Sequence, residues 1–179
     1  MPYTDVDADC SVMMDIIGLP NSYFYPIWTQ FASGALWDGQ SCSEIACCVS
    51  YMAGNLSKIY VSNYAQGLYS LFSANGRVGT SPSKGAFIWF DSDNDNVPDH
   101  TGRVYDVDNN SQIITTVEGN VGGLVVMRYY TFSDPTIFAY GYPNYDGQPA
   151  PDPTPIPPDP EKTTYQNKYK RRRYIQRWT

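Results

Sequence analysis

The stretch QSCSEIACCVSYMA, residues 40–53, predicts a buried helix that begins at a cysteine. Ser41 followed three residues later by Glu44 matches a capping box, a pattern that marks the first turn of a helix. The run behind it is apolar, and Gly54 can end it. Cys42 therefore falls on the first helical residue, where backbone N–H groups are unpaired and the helix dipole is positive. A thiol at such a position favours the thiolate, which is the nucleophilic form.

A nucleophilic cysteine needs a base, and the chain contains one histidine, His100. It begins a predicted strand, and the small residues Thr101 and Gly102 beside it allow another element to approach closely. The next predicted strand ends in the segment 118–120, Glu-Gly-Asn. Two antiparallel strands joined by a short turn place these ends side by side. A carboxylate or amide there can hold the imidazole in one orientation.

Helical patterns come first in the chain and strand patterns follow, which predicts an α+β domain. Helices are predicted near residues 3–17, 42–53 and 62–74. Strands are predicted near residues 86–90, 102–107, 112–118, 124–130 and 137–142. Residues 19–41 read as an aromatic-rich loop, which either packs under the core or forms the wall of a cleft beside the cysteine.

Charge and composition divide the 179 residues into three parts. Residues 1–146 hold 15 acidic and five basic side chains, so this domain is not expected to bind nucleic acid. Residues 147–161 are rich in proline and predict an extended linker. Residues 162–179 hold seven basic side chains and no acidic one, interleaved with aromatic residues. This tail is either solvated and disordered or a tether to an anionic polymer or a partner protein.

The N-terminus has neither the basic nor the apolar segment of a secretory signal, and no apolar run reaches the roughly 20 residues of a membrane span. We therefore expect the protein to act in the cytoplasm or to leave the cell by another route, such as lysis or assembly into a phage particle. We expect a monomer.

These pieces, in this order, resemble the CHAP domain, a cysteine- and histidine-dependent amidohydrolase/peptidase domain of bacteria and phages. The matching pieces are Cys42, the segment Pro82–Phe90 (PSKGAFIWF), the segment Asp99–Val104 (DHTGRV) and the segment Glu118–Asn120 (EGN). The resemblance covers about residues 20–145. It implies a papain-like fold, in which N-terminal helices pack on an antiparallel sheet of about five strands, and cleavage of amide bonds in peptidoglycan.

Carried over by position, the resemblance makes Cys42 the nucleophile, His100 the base and Glu118 the residue that orients the imidazole. Asn120 is a further polar member of the site. Gln40 is a candidate donor to the oxyanion. The family usually has an aromatic residue where this chain has Ser41. Sliding the register would favour Cys47 or Cys48, but Cys42 alone has the predicted helix-start geometry.

The expected function is hydrolysis of an N-acetylmuramoyl-L-alanine bond or a peptide bond of peptidoglycan by a phage or prophage endolysin. One alternative is a cell-wall cysteine peptidase of the NlpC type. Another is a module without catalytic activity, which binds the cell wall or belongs to a phage tail.

An acidic loop precedes the histidine and has carboxylates at alternate positions. This spacing can turn several oxygens toward one hard cation, and Ca²⁺ takes 6–8 oxygen ligands. The candidate ligands are Asp91, Asp93, Asp95, the backbone carbonyl of Val97, and Asp99. The alternative interpretation is a solvated acidic turn without a metal.

Overall fold

The structure of the chain is a computed structural model that describes residues 4–32, 37 and 41–145. The predicted linker, the predicted tail and Gln40 lie outside the described residues. Within the described residues, four α-helices precede a sheet of six strands. The helices are α1 (Asp5–Asp15), α2 (Tyr25–Phe31), α3 (Cys42–Met52) and α4 (Ala65–Ala74). The strands are β1 (Val78–Gly79), β2 (Phe87–Phe90), β3 (His100–Asp108), β4 (Ile113–Val121), β5 (Leu124–Thr131) and β6 (Ile137–Gly141).

The sheet is antiparallel throughout, with the strand order β1-β6-β2-β3-β4-β5. The predicted α+β fold with N-terminal helices on an antiparallel sheet is therefore confirmed. The strand beyond the five expected from the sequence is β1, which has two residues and pairs with β6. So short a strand leaves no alternation for a sequence pattern to detect.

Helix α2 and the 3₁₀ turn Asn21–Tyr23 correct the prediction that residues 19–41 form a loop. Pro26 lies in the first turn of α2, where a missing N–H costs nothing, and Trp28 is fully buried. Of the aromatic residues in this segment, Phe24 and Trp28 belong to the core, while Tyr23 and Tyr25 are exposed. The segment is short, contains proline and has many aromatic residues, so its sequence shows no clear helical periodicity.

Helix α3 forms the centre of the helical layer, and nine of its eleven residues are buried. It packs against both β3 and β4 and against α1 and α2. The main core lies between these helices and the sheet and includes Trp28, Phe72 and Trp89. Strand β2 alternates, because Phe87 and Trp89 join this core while Ile88 and Phe90 join a smaller cluster. The sheet is thus buried on both sides at β2.

A fully buried ion pair connects the helices to the sheet beneath α3. Arg103 of β3 bonds to Asp9 of α1 at 2.5 Å, and both side chains are at most 1% exposed. The same guanidinium donates to the Ala46 carbonyl and the Ser50 hydroxyl on α3. Tyr145, which follows the last strand, donates its hydroxyl to Asp9. This buried network therefore fixes α1, α3, β3 and the end of the described chain relative to one another.

No helix among the described residues is long and apolar enough to cross a membrane.

Candidate active site

The cysteine at residue 42 is the first residue of α3, as the sequence predicts, and is 6% exposed. The predicted capping box is not formed, because Ser41 has φ −53° and ψ 4° and makes no side-chain cap bond. An N-cap residue normally has extended backbone that turns its side chain back onto the helix. The start of α3 is therefore held by burial of the helix rather than by a cap.

The other three cysteines are also buried, and none of them lies at the start of a helix. Burial raises the pKa of Cys10 to about 11 and that of Cys47 to about 12, and it also raises the pKa of Cys48. These thiols stay protonated near neutral pH and behave as small apolar side chains. All four cysteines are free.

The imidazole of His100 lies between Cys42 and Glu118. Its Nε2 is 2.9 Å from Oε2 of Glu118, so that Nδ1 is the ring nitrogen left for Cys42. Burial opposes a charge on the imidazole, but side-chain hydrogen bonds to Cys42 and Glu118 outweigh it and raise the pKa of His100 to about 9. The ring also stacks on Phe90, with centroids 5.8 Å apart. The imidazole is thus oriented by contacts on several sides and protonated at neutral pH.

The carboxylate of Glu118 is completely buried but surrounded by donors. Thr116 donates to Oε1 at 2.6 Å, and Arg128 donates to Oε2 at 3.4 Å. Burial alone would raise the pKa of Glu118, but hydrogen bonds from His100, Thr116 and Tyr130 lower it below its ordinary value. Glu118 is therefore a carboxylate at neutral pH and supplies the negative charge that holds the imidazolium.

Two glycines allow the elements of the site to approach one another. A Cβ on Gly102 of β3 would lie 2.6 Å from Cγ of Glu118 and 3.0 Å from the carbonyl oxygen of Val117. A Cβ on Gly119 of β4 would lie within 2.9 Å of the Ile45 side chain on α3. The prediction that Gly102 permits close approach is confirmed. Larger residues here would separate the histidine strand from Glu118 and the cysteine helix from β4.

The amide of Asn120 has a different position from the other predicted site residues. It is exposed and exchanges hydrogen bonds with Asn21, at 2.6 Å between side chains and 3.2 Å from its backbone N–H. It lies at an irregularity between Glu118 and Val121, with φ of 63°. The structure thus brings Cys42, His100 and Glu118 together. Asn120 is exposed near the end of β4, and its hydrogen bonds to Asn21 connect the turn before α2 to this strand.

The acidic loop folds back on itself immediately before the histidine strand. Carboxylate oxygens of Asp91, Asp93 and Asp99 lie within 4.8 Å of one another. Asp91 is 9% exposed and accepts the backbone N–H groups of Asp95 and Asn96, while Asp95 accepts that of Val97. Three of the five predicted calcium ligands therefore converge. This set of carboxylate oxygens suits a hard cation.

Three residues around Glu118 were not predicted from the sequence, namely Thr116, Arg128 and Tyr130. The alternation of a strand gives one signal, since Thr116 and Glu118 share a side of β4. The neighbours from β5 depend on the register, which pairs Thr116 with Arg128. That register follows from a shift in strand pairing between Glu118 and Val121, and no pattern in the sequence predicts this shift.

A thiol, an imidazole and a carboxylate in this order form the arrangement used by cysteine nucleophiles in acyl transfer. The carboxylate beyond the imidazole fixes the ring and balances its charge. The arrangement can attack a carbonyl carbon and return a proton to a leaving amine.

Comparison with known proteins gives similarity of fold alone. No family model matches the chain, and no curated protein matches it. The solved structure of Ly7917 is similar to it, with a TM-score of 0.50 and 20% sequence identity over 78% of this chain and 62% of that one. A structure of Ly7917 with the hydrolyzing product of MDP has a TM-score of 0.50 and 19% identity, over 78% and 63% of the two chains. The chain therefore spans less than two thirds of the length of Ly7917.

Proposed function

We propose that this chain is a peptidoglycan hydrolase that cleaves an amide bond with Cys42 as nucleophile. The observation that supports the proposal best is the 2.9 Å hydrogen bond between Nε2 of His100 and Glu118, together with an interaction with Cys42, the first residue of α3, that raises the pKa of His100. The CHAP-like order of motifs agrees with it. Ly7917, which has a similar fold, has been solved with the hydrolyzing product of MDP.

In the proposed reaction, Sγ of Cys42 attacks the carbonyl carbon of the scissile amide. The imidazolium of His100 gives its proton to the leaving nitrogen, and the C–N bond breaks to leave a thioester. The neutral imidazole then takes a proton from water, whose oxygen attacks the thioester and releases the acid and the thiolate. The backbone N–H of Cys42, in the first turn of α3, is a donor to the oxyanion, and Gln40 is proposed as a second one.

The chain is further proposed to act as a phage or prophage endolysin on bacterial peptidoglycan, either as an amidase or as an endopeptidase. Residues 162–179 are proposed as a tether to an anionic polymer or a partner protein. Mass spectrometry of the released muropeptides identifies the bond, because each activity leaves different new termini.

The nucleophile is tested by the loss of turbidity of suspended cell walls. The Cys42→Ala variant is expected to lose all measurable clearing, because no other described cysteine contacts His100. Cys48→Ala is the matched control, since it removes a buried thiol from the same helix and leaves the site intact. Equal clearing by the wild-type chain and Cys42→Ala would contradict the cysteine mechanism.

We propose in addition that Ca²⁺ binds the acidic loop and stabilises the start of β3. A ligand that binds only the folded state raises stability by RT ln(1 + [L]/Kd), about 2.7 kcal/mol at a concentration 100 times Kd. Ca²⁺ is therefore expected to raise Tm, and chelation with EGTA to lower both Tm and activity. Asp91→Asn should remove the response. A Tm and an activity unchanged by chelation would refute this site.

A further inference from the structure

The guanidinium of Arg128 lies at the candidate active site and has more N–H donors than its observed protein contacts use. Its side chain is 48% exposed, and its Nη1 donates to Oε2 of Glu118 at 3.4 Å. The same oxygen receives Nε2 of His100 at 2.9 Å. Arg128 and the imidazole are thus neighbours across one carboxylate oxygen. Within the described part of the chain, this is the one side-chain acceptor found for the guanidinium.

Other basic residues of the predicted domain are engaged elsewhere. Lys58 and Lys84 pair with Asp5 and Asp7 of α1, at 3.7 and 3.6 Å. Arg77 donates to the backbone carbonyls of residues 142 and 143, and Arg103 is buried. Among the described residues, Arg128 is therefore the basic side chain that this otherwise acidic domain presents beside the carboxylate that contacts His100.

The orientation of Arg128 is also fixed by its surroundings. Its guanidinium carbon lies 5.4 Å from the centroid of the Tyr130 ring, two residues along β5. A guanidinium has five N–H donors in a planar fork that fits a carboxylate with two parallel bonds. One donor faces Glu118 and the exposed half of the group faces solvent at the site.

We infer that Arg128 binds a free carboxylate of the substrate next to the scissile amide, so that the enzyme prefers stem peptides with an acid at that place over those with an amide. This inference rests on the proposed function and adds a specificity residue to it. Electrostatic attraction to a carboxylate would also offset the repulsion between an acidic domain and an anionic substrate.

The test compares two synthetic muropeptides that differ only in a carboxylate or a carboxamide on the stem peptide, with kcat and KM measured separately. The wild-type full chain is expected to favour the acid by about tenfold in kcat/KM, mainly through KM, because a charge-assisted bond is made. Arg128→Gln should cleave both substrates with equal kcat/KM. Arg128→Lys should keep part of the preference, since it keeps the charge and loses the fork.

The controls separate a specific contact from general electrostatics. Lys84→Gln removes a positive charge of similar exposure, 46%, and should leave the preference unchanged. An equal loss on both substrates in Arg128→Gln, with the preference retained, would overturn the inference and assign Arg128 to the support of Glu118. A wild-type chain without preference would also overturn it. Cleavage retained in Cys42→Ala would instead contradict the proposed function, and a chain that neither binds nor cleaves either muropeptide would overturn both.

Discussion

The imidazole of His100 interacts with two side chains, the thiol of Cys42 and the carboxylate of Glu118. Both partners favour its protonated form, so its pKa in the folded chain, about 9, is above the ordinary value of 6.5. The stabilisation that this charge contributes is fully present below pH 6.5 and is lost as the pH rises through about 9. A reaction that needs the imidazolium should therefore lose rate above about pH 9.

Replacing Glu118 by Gln should move this alkaline limit to lower pH, by about one unit or more, because it removes the charge that holds the imidazolium. The measurement is direct, since His100 is the only histidine in the chain and gives one set of imidazole NMR signals to titrate. Thr116→Val is a milder control, because it removes one donor to Glu118 and leaves the carboxylate. An identical His100 titration in the wild type and Glu118→Gln would contradict the assigned role of Glu118.

At the scale of the element, the site depends on how closely β3, β4 and α3 approach one another. Sequence patterns predicted α3, the order of the strands in the chain and the meeting of His100 with Glu118, because buried helices and hairpins leave local signals. They did not predict Arg128 beside Glu118, because the register of β5 on β4 follows from a local irregularity near Asn120. They also missed α2, whose short length leaves little periodicity.

A methyl group at Gly102 should impair both catalysis and stability. In Gly102→Ala the new Cβ meets Cγ of Glu118 and the Val117 carbonyl, so it displaces the carboxylate from the imidazole. We expect a loss of about 100-fold in kcat/KM from this misplacement and about 1–3 kcal/mol in the free energy of unfolding from overpacking. Both are measured on the purified full chain, by muropeptide kinetics and urea unfolding.

Gly67→Ala in α4 is the matched control, because its Cβ meets the ring end of exposed Tyr64 and the hydroxyl of Ser62 rather than His100 or Glu118. It should leave the kinetics unchanged. Wild-type activity in Gly102→Ala would show that the spacing between the two strands does not limit the reaction.

At the scale of the whole molecule, the buried pair of Arg103 and Asp9 connects the parts that carry the site. Burial would raise the pKa of Asp9, but Arg103 and the hydroxyls around it lower it below the ordinary value. This carboxylate therefore stabilises the fold above its unfolded pKa, and the stabilisation is lost as acid protonates it below about pH 4.

Arg103→Met should lower the free energy of unfolding by about 3–5 kcal/mol, because it leaves a carboxylate buried without its cation. Urea unfolding at neutral pH measures the change. The double variant Asp9→Leu with Arg103→Met should recover much of the loss, since neither charge of the buried pair remains. Lys84→Met, which breaks an exposed pair, should change stability by no more than about 0.5 kcal/mol. A similarly small effect of Arg103→Met would show that the pair is not needed for stability.

The hydroxyl of Tyr145 has a topological consequence. It joins the last described residue to Asp9 in the first helix, so the two ends of the described chain lie close together. A domain whose chain ends lie close together usually tolerates having those ends joined and its backbone opened at a surface turn instead. A circular permutant that joins residue 145 to the start of α1 and opens at Gly122-Gly123, the turn between β4 and β5, is expected to keep the buried pair of Arg103 and Asp9.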